Sequence, residues 1–381
     1  MAKNSNRSDD ESRHHRSQIE EVISVCRLTD KPGERDYFTN KGPLVYPPWA
    51  RGAYGGQIMA QALLAAYETV TAECKVHSMH CHFIYAVNIH LPVIYIVERA
   101  RDSRSFATRI IRATQQDHLV FWTTIGFATE LSALKILQHA VPKPAEERPP
   151  TDKANYENLP VQSPAGQANA DQPCDCVRTS RRYNQHVPPS ERKFRQWVRA
   201  RGTISDLPLK PCEGECKHDS CGSSSAGVLD NHHAHAAALT YMSDNYFLGV
   251  AFRAHNASRF SGLDSSLPDL SPVASAEDGF KAARQASLDA LVQEEQDDNE
   301  GMPENDQRVS MAATMDHTIF FHGSHRFRAD EWMLIEMESP WADSERGLVV
   351  ERVWGQDGTL IATCIQEGVI RLSQSVSQSN L

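Results

Sequence analysis

The sequence predicts an α+β fold in which an antiparallel sheet carries helices on one face, with the whole unit built twice in tandem. Three observations predict it. A helix-patterned segment is followed by four strand-patterned runs, the same order recurs in the second half, and one hairpin-like segment matches between the halves.

The first helix is expected over Gly56–Val70, where Ile58, Met59, Ala62, Leu63, Ala66 and Val70 fall on one helical face. Gly55 and Gly56 at its start permit close backbone approach. The runs Val76–Tyr85, Val93–Arg99, Phe106–Thr114 and Leu119–Phe127 are rich in β-branched and aromatic residues and read as strands. In the second half a strand is expected at Phe194–Arg201 and a helix at His233–Leu248. Strands follow at Ala313–His322, Trp332–Glu338, Leu348–Trp354 and Leu360–Arg371. Ile110–Ala128 and Glu351–Val369 each read strand, tight turn, strand, and aligning Asp117 with Asp357 superposes the turns. Tandem duplication explains the match; two unrelated hairpins are the alternative.

The chain therefore divides into a polar tail at 1–20, a first unit at 21–130, a Pro-rich linker at 131–171, a second unit at 172–372 and a Ser/Gln-rich tail at 373–381. Two segments inside the second unit read as surface insertions. One, at about 207–229, is rich in Cys, Gly and Ser. The other, at about 257–308, is acidic and low in complexity, with a short helix expected at Phe280–Gln293.

Composition excludes several function classes. The net charge of −10 and the absence of a basic stripe argue against nucleic-acid binding. No apolar run is long enough to span a membrane, and the charged N-terminal stretch lacks the apolar centre of a secretory signal. Nine sparse cysteines fit a reducing compartment better than a disulfide scaffold. No nucleophile elbow, phosphate-binding loop or dinucleotide fingerprint occurs, so no cofactor is implied.

Few polar residues stand out. Asp244, among Met242, Tyr246 and Phe247, is either a desolvated general base or an ordinary aspartate near a helix end. Gln366 interrupts the apolar strand LIATCIQEGVI, where its amide needs partners unless it points outward; the matching position of the first repeat is Gly126. Thr314 reads as a strand former, and Asp316, His317 and His322 as structural hydrogen bonders. Cys174, Cys176, Cys212, Cys216 and Cys221 with His218 lack standard zinc spacing, so no metal is assigned.

Taken together, the motifs resemble the acyl-CoA thioesterase II family, which has peroxisomal members. The first half carries Gly55-Gly56-Gln57, His77-Ser78-Met79-His80 and Ser105-Phe106. The second carries Tyr241-Met242-Ser243-Asp244, Met315-Asp316-His317, Glu338-Ser339-Pro340-Trp341-Ala342 and Gln366-Glu367-Gly368-Val369. The match spans roughly residues 30–130 and 190–372. The resemblance implies a double hotdog, each unit a long helix wrapped by an antiparallel sheet. It also implies hydrolysis of acyl-CoA by water, with the catalytic Asp, Ser/Thr and Gln falling on Asp244, Thr314 and Gln366. Departures are Val87-Asn88 and Ser103 in the first half, and two insertions longer than the family norm. The rivals are a non-catalytic acyl-binding protein and a hydroxyacyl-CoA dehydratase; the latter wants an Asp and a His on one segment, and Tyr241–Leu248 has no histidine. Ser379-Asn380-Leu381 resembles the C-terminal tripeptide read by a peroxisomal import receptor, with Asn380 in place of the basic residue. Peroxisomal location is the expectation, with the cytoplasm otherwise; homo-oligomerisation is left open.

Overall fold

The computed structural model describes residues 17–28, 36–47, 50–129, 137–145, 147–150, 173–179, 186–205, 231–260, 305–323 and 326–373, together with helical positions at 285, 288–289, 291–293 and 295–296. The first half contains α1 (Gln18–Val22), β1 (Val25–Arg27), β2 (Tyr37–Asn40), α2 (Gly55–Tyr67), β3 (Cys74–Phe83), β4 (Ile94–Asp102), β5 (Phe106–Gln115) and β6 (His118–Thr129). The second contains β7 (Cys174–Arg178), β8 (Lys193–Ala200), α3 (His232–Met242), α4 (Gly249–Arg253), β9 (Val309–Phe321), β10 (Met333–Asp343), β11 (Arg346–Trp354) and β12 (Leu360–Leu372).

The strands form one antiparallel sheet in the order β1-β2-β4-β5-β6-β3-β9-β12-β11-β10-β8-β7. Read outward from its centre, the two sides repeat the same succession. The halves join where β3 pairs β9, from Ser78 opposite Phe320 to His82 opposite Asp316. The hairpins matched in sequence, β5–β6 and β11–β12, occupy equivalent places in this order. Their turns differ. Gln115 pairs His118 across a two-residue turn in which Gln116 and Asp117 have φ of 48° and 65°. Trp354 pairs Leu360 across a longer turn, where Asp357 accepts the Thr359 N–H at 3.0 Å.

The core lies between the concave sheet and the helices. From Gly56 to Tyr67 every residue of α2 is buried, and α2 packs directly on α3. A helix with so few polar positions is stable only when enclosed. Its two polar exceptions are satisfied: Gln57 Oε1 accepts Val45 N–H at 2.6 Å, and the Tyr95 hydroxyl donates to Gln61 Oε1 at 2.7 Å.

Three expectations are corrected. The tail reaches only to the start of α1, where Ile19 and Ile23 enter the core and Glu20 accepts hydrogen bonds from Ser17 and from the Ser205 N–H. The second helix stops at Met242 rather than Leu248; Tyr246 takes a left-handed φ of 63°, with the Arg178 guanidinium 4.2 Å above its ring, and α4 restarts at Gly249. The acidic insertion is not mere surface decoration. Within its helical positions Leu291 is 1% exposed, and Glu295 accepts the backbone N–H groups of Arg259 and Phe260 at 2.5 and 2.9 Å. One buried leucine and one bidentate carboxylate anchor the described part of this segment. The insertion at 207–229, residues 1–16 and the C-terminal tail from 374 onward lie outside the described residues.

Candidate active site

A cavity of about 590 Å³ lies where the start of α2 meets the turn after α3. Asp244, Thr314 and Gln366 all line it. They arrive from different elements: Asp244 from the turn between α3 and α4, Thr314 from β9, Gln366 from the neighbouring strand β12. Gly368 pairs Thr314 and Gln366 pairs His317, with a register shift between them that adds a residue to β9. Such a bulge redirects side chains on the strand that carries it.

The polar network is directional. The Ser243 hydroxyl donates to the Thr240 carbonyl at 3.0 Å, so its oxygen is left to accept from His317 Nε2 at 3.3 Å. That assignment puts the imidazole proton on Nε2 and leaves Nδ1 to accept from Gln366 Nε2 at 3.1 Å. The second amide hydrogen of Gln366 goes to Asp244 Oδ1 at 2.8 Å. His317 and Gln366 are fully buried, whereas the Asp244 side chain keeps 11% exposure toward the cavity. Gln366 Oε1 is buried with no donor among the described residues. The reading of Gln366 as outward-facing is thereby excluded.

Gly55 explains how the halves approach. A Cβ built there would lie 2.8 Å from Asp244 Oδ2 and 3.0 Å from Phe83 Cε1. Helix α2 begins at this glycine without a side-chain cap, and Gly55 itself lines the cavity. At the matching point of the first half a Cβ on Gly126 would sit 2.6 Å from His77 Nε2, so that half has no room for an amide. Among the described residues the polar site exists once.

Behind Asp244 lies Glu351 on β11, opposite Cys364 on β12 and fully buried. Neither carboxyl oxygen has a nitrogen or oxygen partner among the described residues. Burial pushes this carboxyl well above the usual range; the Cys364 thiol beside it opposes the shift and the charge of Asp244 adds to it. Tyr54 and Tyr241 are likewise pushed up, first by burial and then by nearby Asp244 and other groups, and their rings meet edge to face at 4.8 Å. Asp244 thus faces the cavity with Tyr54, Tyr241 and Glu351, three groups that burial keeps from ionising, close by.

Family models for the acyl-CoA thioesterase N-terminal and C-terminal domains match residues 45–129 and 224–370. Acyl-coenzyme A thioesterase 8 of Mus musculus is 31% identical, over 94% of this chain and 92% of its own. The chain belongs to the acyl-CoA thioesterase family. Peroxisomal acyl-coenzyme A thioester hydrolase 1 of Saccharomyces cerevisiae is 28% identical over 37% of this chain and 39% of its own length. The crystal structure of the acyl-CoA thioesterase II TesB2 from Mycobacterium marinum superposes with a TM-score of 0.58 at 22% identity, covering 95% of this chain and 99% of that one. The double hotdog implied by the sequence resemblance is the fold observed.

Within this thioesterase fold the structure adds residues that the sequence pattern missed. His317, read as a structural hydrogen bonder, stands 3.8 Å from Asp244 and orients Gln366. Its place on β9, far in sequence from Asp244, hid the pairing. Glu351 was a missed signal: a lone acid in the apolar strand of Leu348–Trp354 is a buried carboxyl in waiting. Among the cysteines, Cys174 and Cys176 form no disulfide among the described residues, Cys176 Sγ donating to Gln196 Oε1 at 3.2 Å, and the remainder of the group considered for zinc lies outside the described residues.

Proposed function

We propose that this protein hydrolyses acyl-CoA thioesters to the free acid and CoA, using Asp244 as general base on a water molecule, with no acyl-enzyme. The observation that carries the reading is the Asp244–Gln366–His317 chain opening into an apolar cavity. One water hydrogen goes to Asp244, which the Gln366 amide holds in place. Thr314, which also lines the cavity, makes the second contact to the water and leaves a lone pair for the thioester carbon. Holding the water this way converts an encounter into a positioned attack and supplies several kcal/mol of the barrier. Proton removal by the carboxylate adds about 10²–10⁴-fold. The N-terminal end of α2, where Gly55 lines the cavity, stabilises the developing oxyanion through the helix dipole. The thiolate of CoA leaves and takes up the proton held by Asp244.

A dehydratase needs its histidine to reach the substrate. His317 is wholly buried with both ring nitrogens engaged, by Ser243 and Gln366, which favours hydrolysis. Release of free thiol from a panel of acyl-CoAs tests the proposal. Turnover of at least one chain length is expected; no release from any, with hydration of enoyl-CoA instead, would reject it.

Location in the peroxisome is part of the same proposal, supported by the name of the yeast relative and by Ser379-Asn380-Leu381. Imaging of a fluorescent fusion that leaves these residues free should show puncta lost on removing Leu381; a diffuse signal from the intact fusion would overturn it.

A further inference from the structure

Four arginines border the cavity: Arg51, Arg178, Arg253 and Arg259. Arg178 and Arg253 lie 4.2 and 5.8 Å from the Tyr246 ring, and Arg259 lies 5.8 Å from the Phe260 ring. Arg51 and Arg259 act on one another across the cavity edge. Neither guanidinium has a carboxylate hydrogen-bonded to it among the described residues. The nearest acid to Arg259, Glu295, spends both oxygens on the backbone N–H groups of Arg259 and Phe260. Burial pulls Arg259 down to about 10, Glu295 opposes this and the positive charge of Arg51 adds to it, so the two guanidiniums feel one another. At about 10, Arg259 stays charged at neutral pH. Two like charges held together beside a partly desolvated cavity are unfavourable until an anion lies between them.

We propose that Arg51 and Arg259 form a phosphate-binding subsite that holds the nucleotide end of CoA while the thioester reaches Asp244. This rests on the thioesterase reading above. The phosphates are the anionic groups common to every acyl-CoA, and a dianionic phosphate matches a pair of guanidiniums in charge and in hydrogen-bond geometry. Arg259 opens the acidic segment at 257–308, and Glu295 of the same segment accepts its backbone N–H and that of Phe260 while Leu291 is buried beside the cavity. Those two described residues thereby seat Arg259 at the cavity edge.

The test compares Arg51→Gln and Arg259→Gln with wild type on two thioesters of one acyl group, acyl-CoA and acyl-pantetheine, the latter without phosphate. For acyl-CoA, KM is expected to rise about tenfold in each variant with kcat nearly unchanged; for acyl-pantetheine neither constant moves. Arg259→Lys should recover part of the loss. An unchanged KM for acyl-CoA would overturn the proposal, as would equal rises for both thioesters, which would mark a purely structural role. Calorimetric titration with CoA separates the two readings. Wild type that binds CoA, with binding weakened in Arg259→Gln, supports the subsite even if no thioester is hydrolysed. Equal binding by both proteins refutes it even if hydrolysis is confirmed.

Discussion

Gly55→Ala should separate activity from stability. The added Cβ would sit 2.8 Å from Asp244 Oδ2, short of ordinary contact by about 0.6 Å, and 3.0 Å from Phe83 Cε1. The least costly relief is movement of the carboxylate, because Asp244 lies in a turn and the other contact is a ring packed on Phe121 at 5.2 Å. A shift of about half an ångström in the base should cost roughly tenfold in kcat, given that 1 Å of misplacement costs about 10²-fold. The fold has a compensating gain: alanine is favoured over glycine within a helix by up to about 1 kcal/mol. Steady-state kinetics and urea unfolding on the same preparation check both signs, with kcat down and stability held or raised. Full kcat in the alanine variant would refute the claim that Asp244 must stand against Gly55. A matching collapse of stability would instead make the glycine a packing residue.

Other outcomes follow from the same geometry. Glu351 is neutral in the fold and ionised in the unfolded chain, so its folded value is raised; its stabilising contribution is complete below the ordinary carboxylate range and is lost as pH rises. Glu351→Gln should therefore gain on wild type by about 1.4 kcal/mol per pH unit above roughly pH 5, seen by urea unfolding at several pH values; parallel curves would refute it. Intact-protein mass spectrometry after rapid quench should show no acyl adduct, since no Cys–His pair or elbow serine faces the cavity; an adduct on Thr314 would replace the water mechanism. Leu291→Ala should cost about 2 kcal/mol by chemical denaturation, because the side chain is 1% exposed; a negligible change would show that the insertion does not anchor there.

Much of this was legible in the sequence, for physical reasons. Helix α2 and the eight long strands β3–β6 and β9–β12 declare themselves through periodicity, because each has a face that must be buried. The matched hairpins exposed the internal repeat. Of the three cavity residues, Gln366 stood out in the sequence as an amide in an apolar strand matched by Gly126, Asp244 read either as a desolvated base or as a helix-end acid, and Thr314 read alone as a strand former until the resemblance gave it a role. What periodicity could not give was long-range. His317 lies on β9 and reaches Gln366 on β12, a contact made by strand pairing and not by spacing. The short strands β1, β2 and β7 carry too few residues for a period. The turn at Tyr246 escaped because an apolar helical pattern runs through it, and its left-handed backbone is held by Arg178 from another part of the chain. The acidic insertion was misjudged because composition averages over a segment, whereas two residues, Leu291 and Glu295, fix it in place.

The central claim is that Asp244 takes the proton of the attacking water, and kcat of Asp244→Asn tests it most directly. Asparagine keeps the shape and can still meet Gln366 after an amide flip, but it cannot accept the proton. The account predicts a fall of at least about 10² in kcat with the fold retained by urea unfolding. A folded variant that keeps more than about a tenth of wild-type kcat would contradict it.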